Sequence, residues 1–239
     1  MPHKLACLTT ALTLFSAPNS HANCALDAML VFDGSGSMAT LAAEAPFARR
    51  IDDARDALHR ALPDITPYRR LGLVVYGPGA AAPCANVSVE IPPVPNGQPV
   101  ILSAIKNVEP EGDTPLTQAV DAAAQTLIAG NGAGIVVLIT DGRETCGDPC
   151  TQAAGYAADG IIVHVIGFKI NENFERWPGF SAEEGELKRE PARCLADQTN
   201  GIFVLTDTVS ELVDALHETL GCAVVSRGPT AYRPTLHPA

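Results

Sequence analysis

Two stretches of this sequence are apolar almost without a break: Gly134–Thr140 (GIVVLIT) and Ile161–Phe168 (IIVHVIGF). Each has the length of a strand, and neither alternates with polar residues, so a sheet built on them needs cover on both faces. That requirement points to parallel strands sandwiched between helices. Residues 25–32 (ALDAMLVF), Leu71–Tyr76 (LGLVVY) and 202–205 read as further strands. Residues 87–91 alternate, with Val87, Val89 and Ile91 expected inward and Ser88 and Glu90 outward, as on an edge strand. The short Pro- and Gly-containing link from Tyr76 makes that strand antiparallel.

Helical spacing fills the gaps. Phe47, Ile51, Ala54, Leu58 and Leu62 mark one face of a helix over 47–62. Further helices are expected over 99–108, 149–158, 183–199 and Val209–Leu220, with Gly160 and Gly201 as stops. Another starts with Thr114 as N-cap and Pro115 at the first helical position and runs to Ala129. The expected fold is therefore α/β: a doubly wound, mostly parallel six-stranded sheet with one antiparallel edge strand and helices on both faces.

Lys4, the apolar run Leu5 to Phe15 and the small-x-small triplet Ser20-His21-Ala22 read as a signal peptide over 1–22. The run is too short to span a bilayer of about 30 Å. The domain is expected over 23–225, and the Pro-containing, aperiodic residues 226–239 as a flexible tail. A secreted or periplasmic location follows, with no transmembrane segment after cleavage. The formal net charge of −11 repels phosphate backbones and sets nucleic acid aside as a partner.

Outside the signal stand Cys24, Cys84, Cys146, Cys150, Cys194 and Cys222, an even count that suits three disulfides in an exported chain. Cys24 precedes the first strand and Cys222 follows the last helix, so these two are paired by topology. For the other four, Cys84–Cys146 with Cys150–Cys194 is preferred, and Cys146–Cys150 stays open. A zinc site on Cys146-x-x-x-Cys150 is the weaker alternative, because no His lies at ligand spacing.

The first strand runs into Asp33-Gly34-Ser35-Gly36-Ser37-Met38. Functional crevices of open parallel sheets lie at the carboxyl ends of the strands, and three oxygen side chains at alternate positions can converge there. Carboxylate and hydroxyls are hard ligands, suited to magnesium, manganese or calcium. Alone, the motif is also an ordinary Gly/Ser turn. Thr114 in Gly112-Asp113-Thr114-Pro115 and Asp141 in Thr140-Asp141-Gly142 reach the same face.

DGSGSM, GDTPL and LITDG, in this order and on these elements, resemble the metal-ion-dependent adhesion site of von Willebrand factor type A (VWA) domains. The stretch Thr145-Cys146-Gly147-Asp148-Pro149-Cys150 resembles a bacterial exported branch of that family. The resemblance implies that Asp33, Ser35, Ser37, Thr114 and Asp141 hold a divalent cation, magnesium first, with manganese or calcium as alternatives. It implies a non-enzymatic module that captures an Asp or Glu side chain of a partner protein. Met38, Glu144 and the loop 169–186 are candidates for the rim of that site.

Rival readings fare worse. Gly34-x-Gly36-x-x-Ala39 approaches a dinucleotide fingerprint, but the second strand ends Tyr76-Gly77-Pro78 without the acid that binds ribose. Neither Ser35 nor Ser37 lies in G-x-S-x-G, and His164 sits inside a strand, so an exported hydrolase lacks its parts. A structural subunit of a cell-envelope assembly, in which the metal only orders the loops, stays open.

Overall fold

The computed structural model describes residues 25–41, 48–79, 84–141, 144–170 and 192–222. Strands β1 (Ala28–Asp33), β2 (Leu71–Tyr76), β3 (Val87–Val94), β4 (Gly134–Thr140), β5 (Ile161–Phe168) and β6 (Phe203–Thr206) form one sheet in the order β3-β2-β1-β4-β5-β6. All neighbours are parallel except β2 and β3. The helices are α1 (Arg50–Ile65), α2 (Gln98–Lys106), α3 (Leu116–Gly130), α4 (Cys150–Ala158), α5 (192–199) and α6 (Val209–Leu220). The signal-peptide and tail readings and residues 183–191 of the expected helix lie outside the described residues.

Side-chain alternation on the strands builds two cores, one per face. Ala28, Leu30 and Phe32 of β1 pack with α1, α2 and α6. Met29 and Val31 pack with α3, α4 and α5. Every residue of β1, β2 and β4 is buried, which is why these strands read as unbroken apolar runs.

Some elements depart from the sequence reading. Val89 is not inward but 44% exposed. Leu73 pairs with Ile91 and its neighbour Val74 with Val89, so two residues of β3 are spent against one of β2, and this bulge breaks the alternation. Helix α1 continues past Pro63 to Ile65, because Thr66 closes the end with its N–H and hydroxyl on the Leu62 carbonyl and because Ile65 is buried. Asn200, not Gly201, takes the left-handed conformation after α5 (φ 57°). Gly201 is needed instead for close approach, since a Cβ there would strike the Val163 carbonyl.

Thr114 is not the N-cap of α3. The helix begins at Leu116, and its free N-terminal N–H is taken by Glu144, which accepts from Thr117 N–H at 2.6 Å and from Thr117 Oγ1 at 2.5 Å. A carboxylate there also answers the helix dipole.

Candidate metal centre

Asp33 ends β1 at the carboxyl edge of the sheet, opposite Tyr76 of β2. The chain then turns sharply: Gly34 N–H donates to the Tyr76 carbonyl at 2.8 Å, and Ser35 N–H folds back onto Asp33 Oδ1 at 2.8 Å. Ser35 Oγ donates to the same oxygen at 2.6 Å, and Ser37 Oγ lies 3.1 Å from Ser35 Oγ. Because Ser35 spends its proton on Asp33, Ser37 is the donor in the second contact. The other Asp33 oxygen accepts from Thr140 Oγ1 at 3.1 Å, and Thr140 accepts from the Tyr76 hydroxyl at 3.2 Å.

The second carboxylate, Asp141, follows β4, the strand beside β1. Asp33 is fully buried and Asp141 is 1% exposed. Burial, and then the Asp141 charge, push the Asp33 carboxyl up to about 6. Two carboxylates are thus held together out of water. Asp141 Oδ2 meets the guanidinium of Arg50, the first residue of α1, at 3.3 Å, with side-chain exposures of 0% and 1%.

Thr114 arrives on a third loop. Gly36 N–H donates to the Gly112 carbonyl at 3.2 Å, and Glu111 N–H donates to the Gly34 carbonyl at 3.0 Å, so this loop is laced to the first. Gly112 is in the left-handed region (φ 77°), where a Cβ would collide with the Gly77 carbonyl. The Asn86 amide bridges the Gly77 and Asp113 carbonyls. The Thr114 backbone is engaged by Thr145, and its hydroxyl makes no hydrogen bond among the described residues.

Geometry thus brings Asp33, Ser35 and Ser37 into one hydrogen-bonded set, sets Asp141 against Asp33 electrostatically, and laces the Thr114 loop to both glycines of the motif. The donor set is entirely oxygen, with two buried like charges that a divalent cation would offset, and this chemistry fits magnesium, manganese or calcium. Of the candidate rim residues, Met38 is core, Glu144 caps α3, and Lys169 pairs with Asp53 at 2.6 Å. Ile170 is buried, and residues 171–186 of that loop lie outside the described residues.

The Cys84–Cys146 and Cys150–Cys194 disulfides are present, which removes both the Cys146–Cys150 pairing and the zinc alternative. Asp113 also lies beside Cys84 and Cys146, but those sulfurs are spent on each other. Cys222 is disulfide-bonded, and its expected partner Cys24 lies outside the described residues. Such bonds belong to an oxidising, extracytoplasmic setting. No helix among the described residues is long and apolar enough to cross a membrane.

Residues 28–144, from β1 to just past Asp141, match the family profile of the von Willebrand factor type A domain. The chain carries a VWA domain. Bacillus subtilis YwmC is 35% identical over 77 residues, 31% of this chain and 34% of that protein. YwmD of the same organism is 29% identical over 154 residues, 59% of this chain and 67% of that protein. The chain therefore spans about a third of the length of the first relative and two thirds of the second. Among solved structures, an aerotolerance-related membrane protein of Bacteroides fragilis superposes on the VWA domain with TM-score 0.61 and 20% identity, covering 82% of this chain and 98% of that one. The pilus adhesin SpaC of Lactobacillus rhamnosus gives TM-score 0.60 and 15% identity over 81% of this chain and 29% of its own. At these identities the likeness is one of fold.

Arg50, Tyr76, Thr140 and Thr145 escaped the sequence reading. For Arg50 a signal existed: it stands four and seven residues before Ala54 and Ala57, on the buried face of α1.

Proposed function

We propose that the VWA domain binds a divalent cation through Asp33, Ser35, Ser37, Thr114 and Asp141, and through it captures an acidic side chain of a partner protein. The observation that carries this reading is the burial of Asp33 and Asp141 together, with hydroxyls from two other loop positions. When bound, the cation supplies a Lewis-acidic centre whose exchangeable position accepts a carboxylate oxygen. The chain's own part is to hold Asp33 by Ser35 and Thr140, so that the ligand oxygens are set before the cation arrives.

Adhesion is the named role of SpaC, and it comes to this chain as a proposal. Capture is favoured over mere ordering of the loops because those loops are already tied by the Cys84–Cys146 disulfide and by Gly36–Gly112 and Gly34–Glu111 hydrogen bonds. Binding is favoured over hydrolysis because His164 is engaged within the sheet, accepting from Ile202 N–H at 2.9 Å.

Calorimetric titration of the purified chain with magnesium, manganese and calcium tests the reading, beside Asp33→Ala and Ser35→Ala. Saturable binding lost in both folded variants is the expected result. A wild-type chain that binds none of the three ions would overturn it.

A further inference from the structure

Strand β2 is apolar up to its last residue, and that residue is a tyrosine with 0% exposure. A phenol hydroxyl is costly to bury without a partner, and phenylalanine would fill the same space without that cost. Tyr76 donates its hydroxyl to Thr140, the last residue of β4, 64 residues away in the chain. Strand β1 lies between β2 and β4 in the sheet, so this contact spans the strand that ends in Asp33. The Tyr76 backbone serves β1 as well, since its carbonyl accepts from Gly34 N–H at 2.8 Å. One residue thus joins the carboxyl ends of three neighbouring strands.

Two kinds of restraint act on Asp33. Ser35 holds Oδ1 twice, from its N–H at 2.8 Å and its Oγ at 2.6 Å, which fixes the carboxylate within its own turn. The hold on Oδ2 comes from other strands: Tyr76 donates to Thr140, and Thr140 donates to Oδ2 at 3.1 Å. Asp141 is the residue after Thr140. This second restraint therefore sets Asp33 relative to the strand end that carries the other carboxylate.

We propose that Tyr76 is a positioning residue that sets the width of the cation site and so its preference for magnesium over calcium. The inference rests on the metal-binding reading above and deepens it. Magnesium holds its oxygens at roughly 2.0–2.1 Å in a near-octahedral set, whereas calcium takes roughly 2.3–2.6 Å in a looser one. Asp33, Tyr76 and Thr140 are all fully buried, and close-packed surroundings resist the widening that the larger ion needs. A site braced in this way discriminates by size. Loosening the brace lets the carboxylates spread, which suits calcium and weakens magnesium.

The test is calorimetric titration of the full chain with magnesium and with calcium, in wild type, Tyr76→Phe, Thr140→Val and the double variant. Tyr76→Phe keeps the ring and its packing, and thermal melting in chelator verifies that each variant is folded. In Tyr76→Phe, magnesium affinity falls about tenfold and calcium affinity changes less than about twofold. Thr140→Val moves the magnesium-to-calcium ratio in the same direction, and adding Tyr76→Phe to it moves the ratio no further, because the phenol acts through Thr140. The rise in melting temperature at equal concentrations of the two ions gives a second reading: the excess for magnesium over calcium shrinks in Tyr76→Phe. Equal loss of both affinities in folded Tyr76→Phe, ratio effects that multiply in the double variant, or a wild type that binds calcium as tightly as magnesium overturns the assignment and leaves the metal site intact. A wild-type chain that binds neither ion overturns both.

Discussion

Thr114 and Thr145 hold each other by two hydrogen bonds: Thr114 N–H donates to Thr145 Oγ1 at 2.9 Å, and Thr145 N–H donates to the Thr114 carbonyl at 3.2 Å. The placement of Thr114 beside the proposed metal site is thereby set from the loop that follows Asp141. In Thr145→Val the shape is kept and the acceptor lost. Stability should fall by about 1–2 kcal/mol, and magnesium affinity should weaken several-fold. Unchanged calorimetric affinity would mean that Thr114 is positioned by other contacts.

The residue after Thr145 is Cys146, bonded to Cys84 across 62 residues of chain. Cys150–Cys194 instead ties α4 to α5. Replacing either pair by serines should cost about 2–4 kcal/mol in thermal unfolding. Only the Cys84/Cys146 variant should also lose metal affinity. Equal metal affinity in both variants would separate the first disulfide from the site.

Gly112→Ala is expected to act at two levels. Its φ of 77° is costly for alanine, and the added Cβ meets the Gly77 carbonyl. A loss of about 1–3 kcal/mol in denaturant unfolding is expected. Magnesium binding should weaken as well, because the Thr114 loop is displaced from Gly36.

Burial in the sheet, with Arg69 as a second cause, lowers the His164 imidazole to about 4. The fold therefore favours the neutral ring, and the unfolded chain takes up the proton first as pH falls. The stabilisation is complete above about pH 6.5 and is lost towards pH 4, with a span of roughly 3 kcal/mol. Asp33 runs the other way in the metal-free chain, its raised value lowering stability as pH rises from about 4 to about 6. Comparing wild type with His164→Gln at each pH in chelator isolates the histidine. The difference in unfolding free energy should shrink steadily from pH 7 to pH 4, and a flat difference would remove His164 as its source.

Much of the fold was legible because the physics of these elements is local. Strands β2, β4 and β5 and helix α6 fall on the residues read from pattern alone, since cover on both faces and an amphipathic stripe leave their marks in consecutive side chains. Asp33, Ser35 and Ser37 were legible because they stand two apart after a strand. What escaped was tertiary. The place of Arg50 on the buried face of α1 could be read from its spacing, but its partner Asp141 stands 91 residues away and Glu144 stands 27 from Thr117, and neither pairing leaves a local signature. The exposure of Val89 depends on a bulge created by pairing, which no single strand announces.

Asn86 spends its amide on the Gly77 and Asp113 carbonyls, and it is followed by Val87 and Ser88. That triplet is an acceptor for N-linked sugar in a eukaryotic secretory pathway. A glycan on the Asn86 nitrogen would have to be added before the loops close and would replace one of the two amide hydrogens that hold them. Material made in yeast or mammalian culture would then carry a wedge beneath the Thr114 loop, whereas bacterial export would leave that amide bare.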